Sequence, residues 1–237
     1  MIRDKIVLIT GGSKGIGLGI AETLLSEGMK VAITGRNIQS LEEARAYLIS
    51  RYPEGHLLII KADVCQKEQM EKTVHDIHQT WGEIHTVIAN AGVGHFSSVE
   101  DLTDAQWHDT INTNLTGVYY TIKTSLEDLK ATKGYLITIA SLAGTNFFAS
   151  ASAYNASKFG LVGFTQAVML DLRKYGIKVT TIMPGSVTSY FNGHTPAPED
   201  EWKIQPEDIG QMVRDLLFMH PRTLPSKIEV RPTLPPK

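Results

Sequence analysis

Tyr154 and Lys158 stand four residues apart in the run YNASK at 154–158. On a helix this spacing puts both side chains on one face. An isolated tyrosine has a pKa of about 10, and a neighbouring ammonium would stabilise the phenolate and lower that pKa. Such a pair can donate a proton to a developing alkoxide, or accept one in the reverse direction. The alternative is an ordinary Tyr–Lys pair on a helix surface.

Two further polar residues are candidates for the same chemistry. Ser141 lies just past an apolar, strand-like run, a short loop before Tyr154. Its hydroxyl could hydrogen-bond a substrate oxygen and stabilise charge in the transition state. Asn114 lies inside a helix-like segment, and asparagine is a mediocre helix former. A kink there could free a backbone carbonyl to hold a water near Lys158, whereas a capping or packing role is the alternative.

A glycine-rich turn, TGGSKGIG at 10–17, ends the first strand-like run and begins a helix. Glycines permit tight turning and let backbone N–H groups approach a pyrophosphate, and the helix N-terminus adds a positive dipole end. The spacing is GxxxGxG rather than GxGxxG, so a turn without a ligand is the alternative. The residues expected to hold a dinucleotide here are Gly11, Ser13, Lys14, Gly15, Ile16 and Gly17.

The end of the second strand-like run distinguishes between the two nicotinamide cofactors. An acid there would hydrogen-bond the adenosine ribose of NAD, but this chain has TGRN at 34–37. Arg36 can hold a 2′-phosphate with its planar guanidinium, and Lys14 could reach the same phosphate. NADP(H) is therefore the expected cofactor, and a solvated Arg36 is the alternative.

Short motifs also follow the next two strand-like runs. Asp63 and Val64 follow the third run, and Asp63 is expected either to bind the adenine amino group or to cap the next helix. Asn90, Ala91 and Gly92 follow the fourth run, at the edge of the sheet where ligands bind in open α/β proteins. For this second motif, a turn that only starts a loop is the alternative.

These motifs fall on an alternation of strand-like and helix-like segments. The apolar runs are rich in Val and Ile and do not alternate with polar residues, as in strands covered on both faces. The alternation predicts an α/β fold with a doubly wound parallel sheet in three layers, α/β/α. The strand-like runs are 6–9, 31–33, 57–60, 86–89, 136–139 and 179–183; the amphipathic segments are 15–27, 39–51, 67–81, 104–131 and 153–174.

The rest of the chain adds a predicted helix near 206–219 and a short strand near 228–230. No shift in composition marks a second domain, so residues 1–237 are expected to form a single dinucleotide-binding and catalytic domain. Five of the ten prolines fall within 221–237, which predicts an extended C-terminal tail there.

Composition argues against several classes of partner. The net charge of −2 indicates neither nucleic acid nor an anionic membrane. Cys65 is the only cysteine, which excludes an internal disulfide and fits a reducing compartment. No signal-peptide pattern or bilayer-length apolar stretch is found, so a cytoplasmic location is expected. His75 and His78 share a helix face without a third ligand, so no metal site is expected.

Taken together and in this order, the motifs make the chain similar to the compact, single-domain, NADP-preferring short-chain dehydrogenases/reductases (SDR family) over essentially its whole length. The matching stretches are TGGSKGIG at 10–17, DV at 63–64, NAG at 90–92, Asn114, Ser141, YNASK at 154–158 and PGSVT at 184–188. The resemblance implies a Rossmann fold and a catalytic tetrad of Asn114, Ser141, Tyr154 and Lys158. Tyr154 and Lys158 also belong to the expected cofactor site, where Lys158 could hold the nicotinamide ribose.

The resemblance carries further expectations. It implies that the PGSVT run contacts the nicotinamide amide through Pro184, Gly185, Val187 and Thr188, with the Val187 backbone and the Thr188 hydroxyl suited to the contact. It also implies a homodimer or homotetramer that pairs through the segments 104–131 and 153–174. Two features depart from the family pattern: Ala89 stands where a second Asn is common, and IEVRP at 228–232 replaces a glycine-rich final strand.

The sequence thus predicts an NADPH-dependent reductase or dehydrogenase that interconverts a ketone or aldehyde and an alcohol, with Tyr154 as acid and base. A 3-oxoacyl-carrier-protein reductase is the alternative enzyme, and a non-catalytic NADP(H)-binding sensor is the alternative of another class. The segments 145–150 and 187–201 are expected to line the substrate pocket. Their candidate lining residues are Phe147, Phe148, Tyr190, Phe191 and His194.

Overall fold

A computed structural model describes residues 2–234 of the chain. Its centre is a seven-stranded sheet in which every neighbouring pair is parallel, in the order β3-β2-β1-β4-β5-β6-β7. The chain runs outward from β1 to β3 and then returns to β4 beside β1. This doubly wound order leaves a crevice at the carboxyl ends of β1 and β4, where open α/β sheets bind ligands. The strands are β1 (Ile6–Thr10), β2 (Lys30–Gly35), β3 (Leu57–Lys61), β4 (Thr86–Ala89), β5 (Tyr135–Ile139), β6 (Lys178–Pro184) and β7 (Lys227–Val230).

Helices cover both faces of the sheet. Alternate residues of β1 divide between two buried clusters: Val7 and Ile9 pack with one set of helices, and Ile6 and Leu8 pack with the other. The first cluster takes its helical residues from α1, α2 and α8, and the second from α3, α5, α6 and α7. The predicted three-layer α/β/α fold is therefore confirmed. The helices are α1 (Gly15–Ser26), α2 (Ile38–Ile49), α3 (Lys67–Thr80), α4 (Asp104–Ile111), α5 (Gly117–Thr124), α6 (Leu126–Thr132), α7 (Ser152–Leu172) and α8 (Pro206–Phe218).

The segment predicted as one helix over 104–131 is interrupted. A π-helical turn, Asn112–Thr116, separates α4 from α5, and the Gly117 N–H donates to the Asn112 carbonyl five residues back. Single π turns inside helices are often found at functional sites. This turn contains Asn114, so the helical hydrogen-bond pattern changes at the residue where the sequence predicts an irregularity.

The C-terminal segment differs from the predicted tail. Within 221–237, residues Lys227–Val230 form β7 and pair in parallel with β6, from Thr181 opposite Lys227 to Pro184 opposite Val230. The short strand predicted near 228–230 is present, and the extended-tail prediction was wrong for these residues. Residue 1 and residues 235–237 of the predicted domain and tail lie outside the described part. Across residues 2–234, no helix combines the length and the apolar character that crossing a membrane requires.

Candidate active site

A cavity of about 700 Å³ opens at the carboxyl edge of the sheet. Four separate parts of the chain line it: the glycine turn after β1, the loop after β4, the residues after β5 with the start of α7, and the turn after β6. Motifs that are far apart in the sequence therefore meet in one space. Three residues of the predicted tetrad, Ser141, Tyr154 and Lys158, line it.

The glycine turn approaches its surroundings so closely that side chains are excluded. A Cβ on Gly17 would lie 2.3 Å from the Gly11 carbonyl oxygen and 2.6 Å from the Asn90 Nδ2. Gly15 begins α1 with a φ of +52°, in the left-handed region that favours glycine. Within residues 2–234, no side chain caps the start of α1, whose first turn carries no acid. The free N–H groups and the helix dipole fit a pyrophosphate.

Gly11, Lys14, Gly15 and Ile16, which the sequence predicts to bind the cofactor, line the cavity. Ser13 and Gly17 do not line it. Gly17 is buried and lets α1 begin against the turn.

The loop after β4 is joined to the glycine turn by Thr10. The backbone N–H groups of Asn90 and Ala91 both donate to the Thr10 hydroxyl at 3.1 Å. The Asn90 Nδ2 donates to the carbonyl oxygens of Thr10 and Gly11, at 2.9 and 3.0 Å. Asn90, Ala91 and Gly92 line the cavity, but the Asn90 amide is committed to holding the glycine turn. Sequence reasoning did not assign Thr10 this role, although it is the first residue of TGGSKGIG.

Tyr154 and Lys158 lie in the first turns of α7, and both are buried. The Lys158 Nζ donates to the Ile139 carbonyl oxygen at 3.2 Å and lies 5.7 Å from the centroid of the Tyr154 ring. Ser141 lies close enough to Tyr154 to influence its pKa, and the Ser141 Oγ accepts from the Ala143 N–H at 3.1 Å. The serine hydroxyl, the phenol and the ammonium are thus neighbours at the end of β5.

Burial dominates the acid–base properties of this pair. It raises the pKa of Tyr154 above its usual value of 10.0, and the neighbouring Ser141 hydroxyl acts in the opposite direction. It lowers the pKa of Lys158 from 10.5 to about 8. The net lowering of the Tyr154 pKa expected from the sequence is not found, because desolvation of the buried phenol raises it more than its polar neighbours lower it. A phenol with a raised pKa keeps its proton at neutral pH.

Asn114 does not line the cavity, but it hydrogen-bonds to residues next to the cavity lining. It is buried, and its Nδ2 donates to the Val93 carbonyl at 2.8 Å and to the Ser157 Oγ at 3.0 Å. Its Oδ1 accepts from the Val93 N–H at 2.8 Å. A Cβ on Gly92 would lie 3.3 Å from this Oδ1 and 3.6 Å from the Lys158 Nζ. Asn114 therefore fixes the loop after β4 against α7, close to Lys158.

The predicted contacts to adenosine lie outside the cavity, on an open surface. Arg36 is exposed, and its Nη1 lies 3.7 Å from the Asp109 Oδ1. The second oxygen of Asp109 accepts from the His95 Nε2 at 2.7 Å. Sequence reasoning found no acid at the end of β2 and missed this one, because it comes from α4.

Asp63 does not cap α3, whose N-cap residue is Gln66. Its Oδ1 instead accepts from the Cys65 N–H at 2.9 Å, which closes a tight turn after β3. Val64 is buried, and a Cβ on Gly117 would lie 2.6 Å from its Cγ2, so this residue packs against the start of α5.

The turn after β6 is only partly directed at the cavity. Pro184, Gly185 and Val187 line it, but Thr188 does not. The Thr188 Oγ1 donates to the Asp200 carbonyl at 3.2 Å and accepts from the Gln205 Nε2 at 3.0 Å. The hydroxyl predicted to reach a nicotinamide amide is therefore engaged by the following loop.

The predicted lining of the substrate pocket is largely found. Phe148, Tyr190, Phe191 and His194 line the cavity, whereas Phe147 points to solvent and does not. Phe96 also lines it, and sequence reasoning missed this residue. Its only sequence signal is its position shortly after the NAG motif at 90–92.

The family model for the short chain dehydrogenases matches residues 5–200. This chain belongs to the short-chain dehydrogenase family. An oxidoreductase of Staphylococcus aureus strain MRSA252, described as uncharacterized, is 33% identical over 233 residues, which are 98% of this chain and 99% of the relative.

Two solved structures of the family are similar to this short-chain dehydrogenase in fold. The alcohol dehydrogenase of the archaeon Thermococcus sibiricus, complexed with 5-hydroxy-NADP, superposes with a TM-score of 0.90 at 27% identity and covers 98% of this chain and 99% of its own. A variant of actinorhodin polyketide ketoreductase with NADPH gives a TM-score of 0.86 at 27% identity, with 97% and 96% coverage.

Proposed function

We propose that this short-chain dehydrogenase is an NADPH-dependent reductase of ketones or aldehydes that also catalyses the reverse oxidation of the alcohol. The observation that carries the proposal is the cavity in which Ser141, Tyr154 and Lys158 meet the glycine turn. A binding protein without catalysis would not need a buried phenol and a buried ammonium side by side, since burying a charge is costly. The sensor alternative is therefore not favoured.

The cradle at the start of α1 fits the pyrophosphate of NADP(H). Contacts would come from Gly11, Lys14, Gly15 and Ile16, from the NAG motif, and from Pro184, Gly185 and Val187 beside the nicotinamide. Lys158 would hold the nicotinamide ribose. The cofactor, when bound, supplies or accepts the hydride.

The side chains of this enzyme would manage the proton and the charge on the substrate oxygen. Tyr154, with its raised pKa, keeps its proton at neutral pH and donates it to the oxygen as alkoxide character develops. The Ser141 hydroxyl hydrogen-bonds the same oxygen. The Lys158 ammonium stabilises the phenolate left on Tyr154, and Asn114 holds the loop after β4 in place.

Preference for NADPH over NADH would come from Arg36 and Lys14. The segment 34–37 offers no carboxylate that would repel a 2′-phosphate, and Arg36 is exposed and able to turn toward one. The two solved relatives described above contain NADPH or an NADP derivative. The ion pair of Arg36 with Asp109 competes with the phosphate and would moderate the preference. Assembly into a homodimer or homotetramer stays a prediction.

The test is NADPH oxidation by the wild-type protein with a panel of ketones and aldehydes, in parallel with Tyr154→Phe. We expect turnover that depends on the carbonyl compound and is lost in the variant. Turnover that persists in Tyr154→Phe would contradict the assigned proton donor. An absence of carbonyl-dependent oxidation with every compound would contradict the proposed reaction.

A further inference from the structure

Three phenylalanines from three different loops form a cluster beside Tyr154: Phe96 and Phe191 pack against its ring, and Phe148 packs against Phe96. Phe96 comes from the loop after β4, Phe148 from the loop after β5, and Phe191 from the loop after β6. The Phe96 ring centroid lies 5.3 Å from that of Tyr154, 6.0 Å from that of Phe148 and 6.2 Å from that of Phe191. The Tyr154 and Phe191 centroids are 5.6 Å apart. These three phenylalanines are called the aromatic wall below.

Two side chains of the aromatic wall expose a large fraction of their apolar surface to the cavity. Phe96 is 40% exposed and Phe148 is 52% exposed, although both line the cavity beside the proton donor. Single exposed apolar side chains are ordinary, but a contiguous group around a concave site marks a surface that binds apolar groups. The exposed side chains of the wall are therefore expected to contact an apolar part of a ligand, whereas the isolated, exposed Phe147 is not.

The fold holds the aromatic wall in place. A Cβ on Gly94 would lie 2.5 Å from the Phe191 Cζ, so this glycine leaves the space that the ring occupies. The loop that carries Phe191 is tied by Asp200, whose carboxylate accepts from the His194 Nε2 and the Lys203 Nζ, each at 2.5 Å. The Phe148 N–H donates to the Asn155 Oδ1 at 3.4 Å.

The charged groups around the cavity favour a neutral substrate. His194 and Lys203 line it, but both are already paired with Asp200, and these bonds hold the pKa of Asp200 down to about 2. Lys14 and Lys158 also line the cavity, with the Lys14 Nζ 5.4 Å from the Tyr190 ring centroid, but both are assigned to the cofactor under the proposed function. Among residues 2–234, no acidic side chain lines the cavity. The polar groups next to the wall are then Ser141 and Tyr154, which suit one carbonyl oxygen.

We propose that the aromatic wall binds a phenyl ring attached to the reacting carbonyl carbon, so that the substrate class is neutral aryl ketones. This inference rests on the proposed reductase function. A ring in this position would meet Phe96 and Phe191 edge-on or offset, the geometries that aromatic pairs prefer. A saturated ring of similar size would bury a similar area without that preference. The wall therefore discriminates phenyl from cyclohexyl by about twofold to tenfold.

The test compares acetophenone with cyclohexyl methyl ketone as substrates in the presence of NADPH. The measured quantity is the ratio of their kcat/KM values in wild type, Phe96→Leu and Phe148→Leu. Leucine keeps an apolar side chain but removes the ring, and the difference in intrinsic reactivity of the two ketones cancels between proteins. Phe147→Leu is the matched control, since Phe147 is 84% exposed and does not line the cavity.

We expect the acetophenone-to-cyclohexyl ratio to fall about twofold to tenfold in Phe96→Leu and Phe148→Leu, and to be unchanged in Phe147→Leu. An unchanged ratio in both wall variants, with reduction that still requires Tyr154, overturns the aryl-ketone inference and leaves the proposed reductase intact.

A protein that oxidises no NADPH with any ketone contradicts the proposed reductase instead. Calorimetric titration with 1-phenylethanol and 1-cyclohexylethanol in the presence of NADP⁺ then decides the inference about the wall. Tighter binding of the phenyl compound in wild type that is lost in Phe96→Leu supports the inference, and equal binding overturns it.

Discussion

The part of the site around Tyr154 (the catalytic end) and the part around Arg36 (the adenosine end) differ in burial and in what holds their side chains. At the catalytic end, Tyr154, Lys158 and Asn114 are 9%, 4% and 0% exposed, and backbone atoms of Ile139 and Val93 hold the last two. At the adenosine end, the Arg36 side chain is 55% exposed and held by one ion pair to another side chain. The proposed catalytic side chains are therefore held by burial and backbone hydrogen bonds, whereas the side chain proposed to select the cofactor is solvated.

The size of electrostatic effects should differ accordingly. Burial strengthens interactions between charges and shifts the pKa of Lys158 to about 8. An exposed pair such as Arg36 with Asp109 is screened by water and salt, and contributes less than about 1 kcal/mol. Changes at the catalytic end should alter rates by orders of magnitude, and changes at the adenosine end should alter cofactor affinity by smaller factors.

The largest expected effect is that of Tyr154→Phe. The variant keeps the ring that packs against Phe96 and loses the proton donor, so turnover should fall by more than about a hundredfold. NADPH affinity should be nearly unchanged. Steady-state NADPH oxidation and a fluorescence titration check the two parts. Tyr175→Phe, on the surface after α7, is the matched control and should behave like wild type.

Lys158→Ala should damage both turnover and NADPH affinity. Loss of a hydrogen bond from a charged group is worth about 1.5–3 kcal/mol, so affinity should fall about tenfold to a hundredfold. Calorimetry tests this loss of affinity, and an unchanged NADPH affinity would contradict the ribose-binding role.

The pH dependence of wild type tests the same residue. The Lys158 ammonium is charged below its pKa of about 8 and neutral above it. Reductive turnover of wild type should therefore decline as the pH rises through about 8, which a pH–rate profile measures.

Arg36→Ala should weaken NADPH binding by about tenfold or more, because a charge-assisted bond to the 2′-phosphate is lost. NADH binding should not change.

Gly35→Asp should shift the cofactor preference further toward NADH, since a carboxylate there repels the 2′-phosphate. A Cβ on Gly35 would meet Leu41 and Ser13 at an ordinary 3.5 Å, so the substitution fits the fold. Dissociation constants for both cofactors decide this, and a wild type that prefers NADH would contradict it.

The smallest expected effect is that of Asp109→Asn. Removing this carboxylate frees Arg36 and lessens repulsion of a phosphate, so NADPH should bind about twofold to fivefold more tightly. The gain should shrink at high salt. Asp76→Asn, in α3 and paired with Lys72, changes the same charge elsewhere and serves as the control. An equal gain in both variants would show an effect of net charge alone.

The sequence was sufficient for the features that depend on local pattern. The order of apolar runs predicted six of the strands and the parallel sheet, and this topology brings the segments after β1, β4, β5 and β6 to one edge. For that reason Ser141 could be placed near Tyr154 and Lys158 from its position just past a predicted strand, and the family resemblance implied that they act together.

The features that were missed depend on contacts between distant parts of the chain. Asp109 reaches Arg36 from α4, and Phe96 reaches Tyr154 from a loop without regular structure. Phe147 and Phe148 are adjacent and identical in type, so only the course of the backbone decides which one lines the cavity. The direction of the Tyr154 pKa shift follows from burial, which residue spacing does not reveal.

The most direct test of the contrast between the two ends is a paired measurement on Tyr154→Phe and Arg36→Ala. For each variant, the NADPH dissociation constant and the rate of ketone reduction at saturating NADPH are determined on the same preparation. We expect opposite defects: Tyr154→Phe binds NADPH like wild type and barely turns over, and Arg36→Ala binds NADPH weakly and turns over normally once saturated. If Tyr154→Phe lost NADPH affinity as severely as Arg36→Ala, or if saturated Arg36→Ala were as slow as Tyr154→Phe, the division of roles would be contradicted.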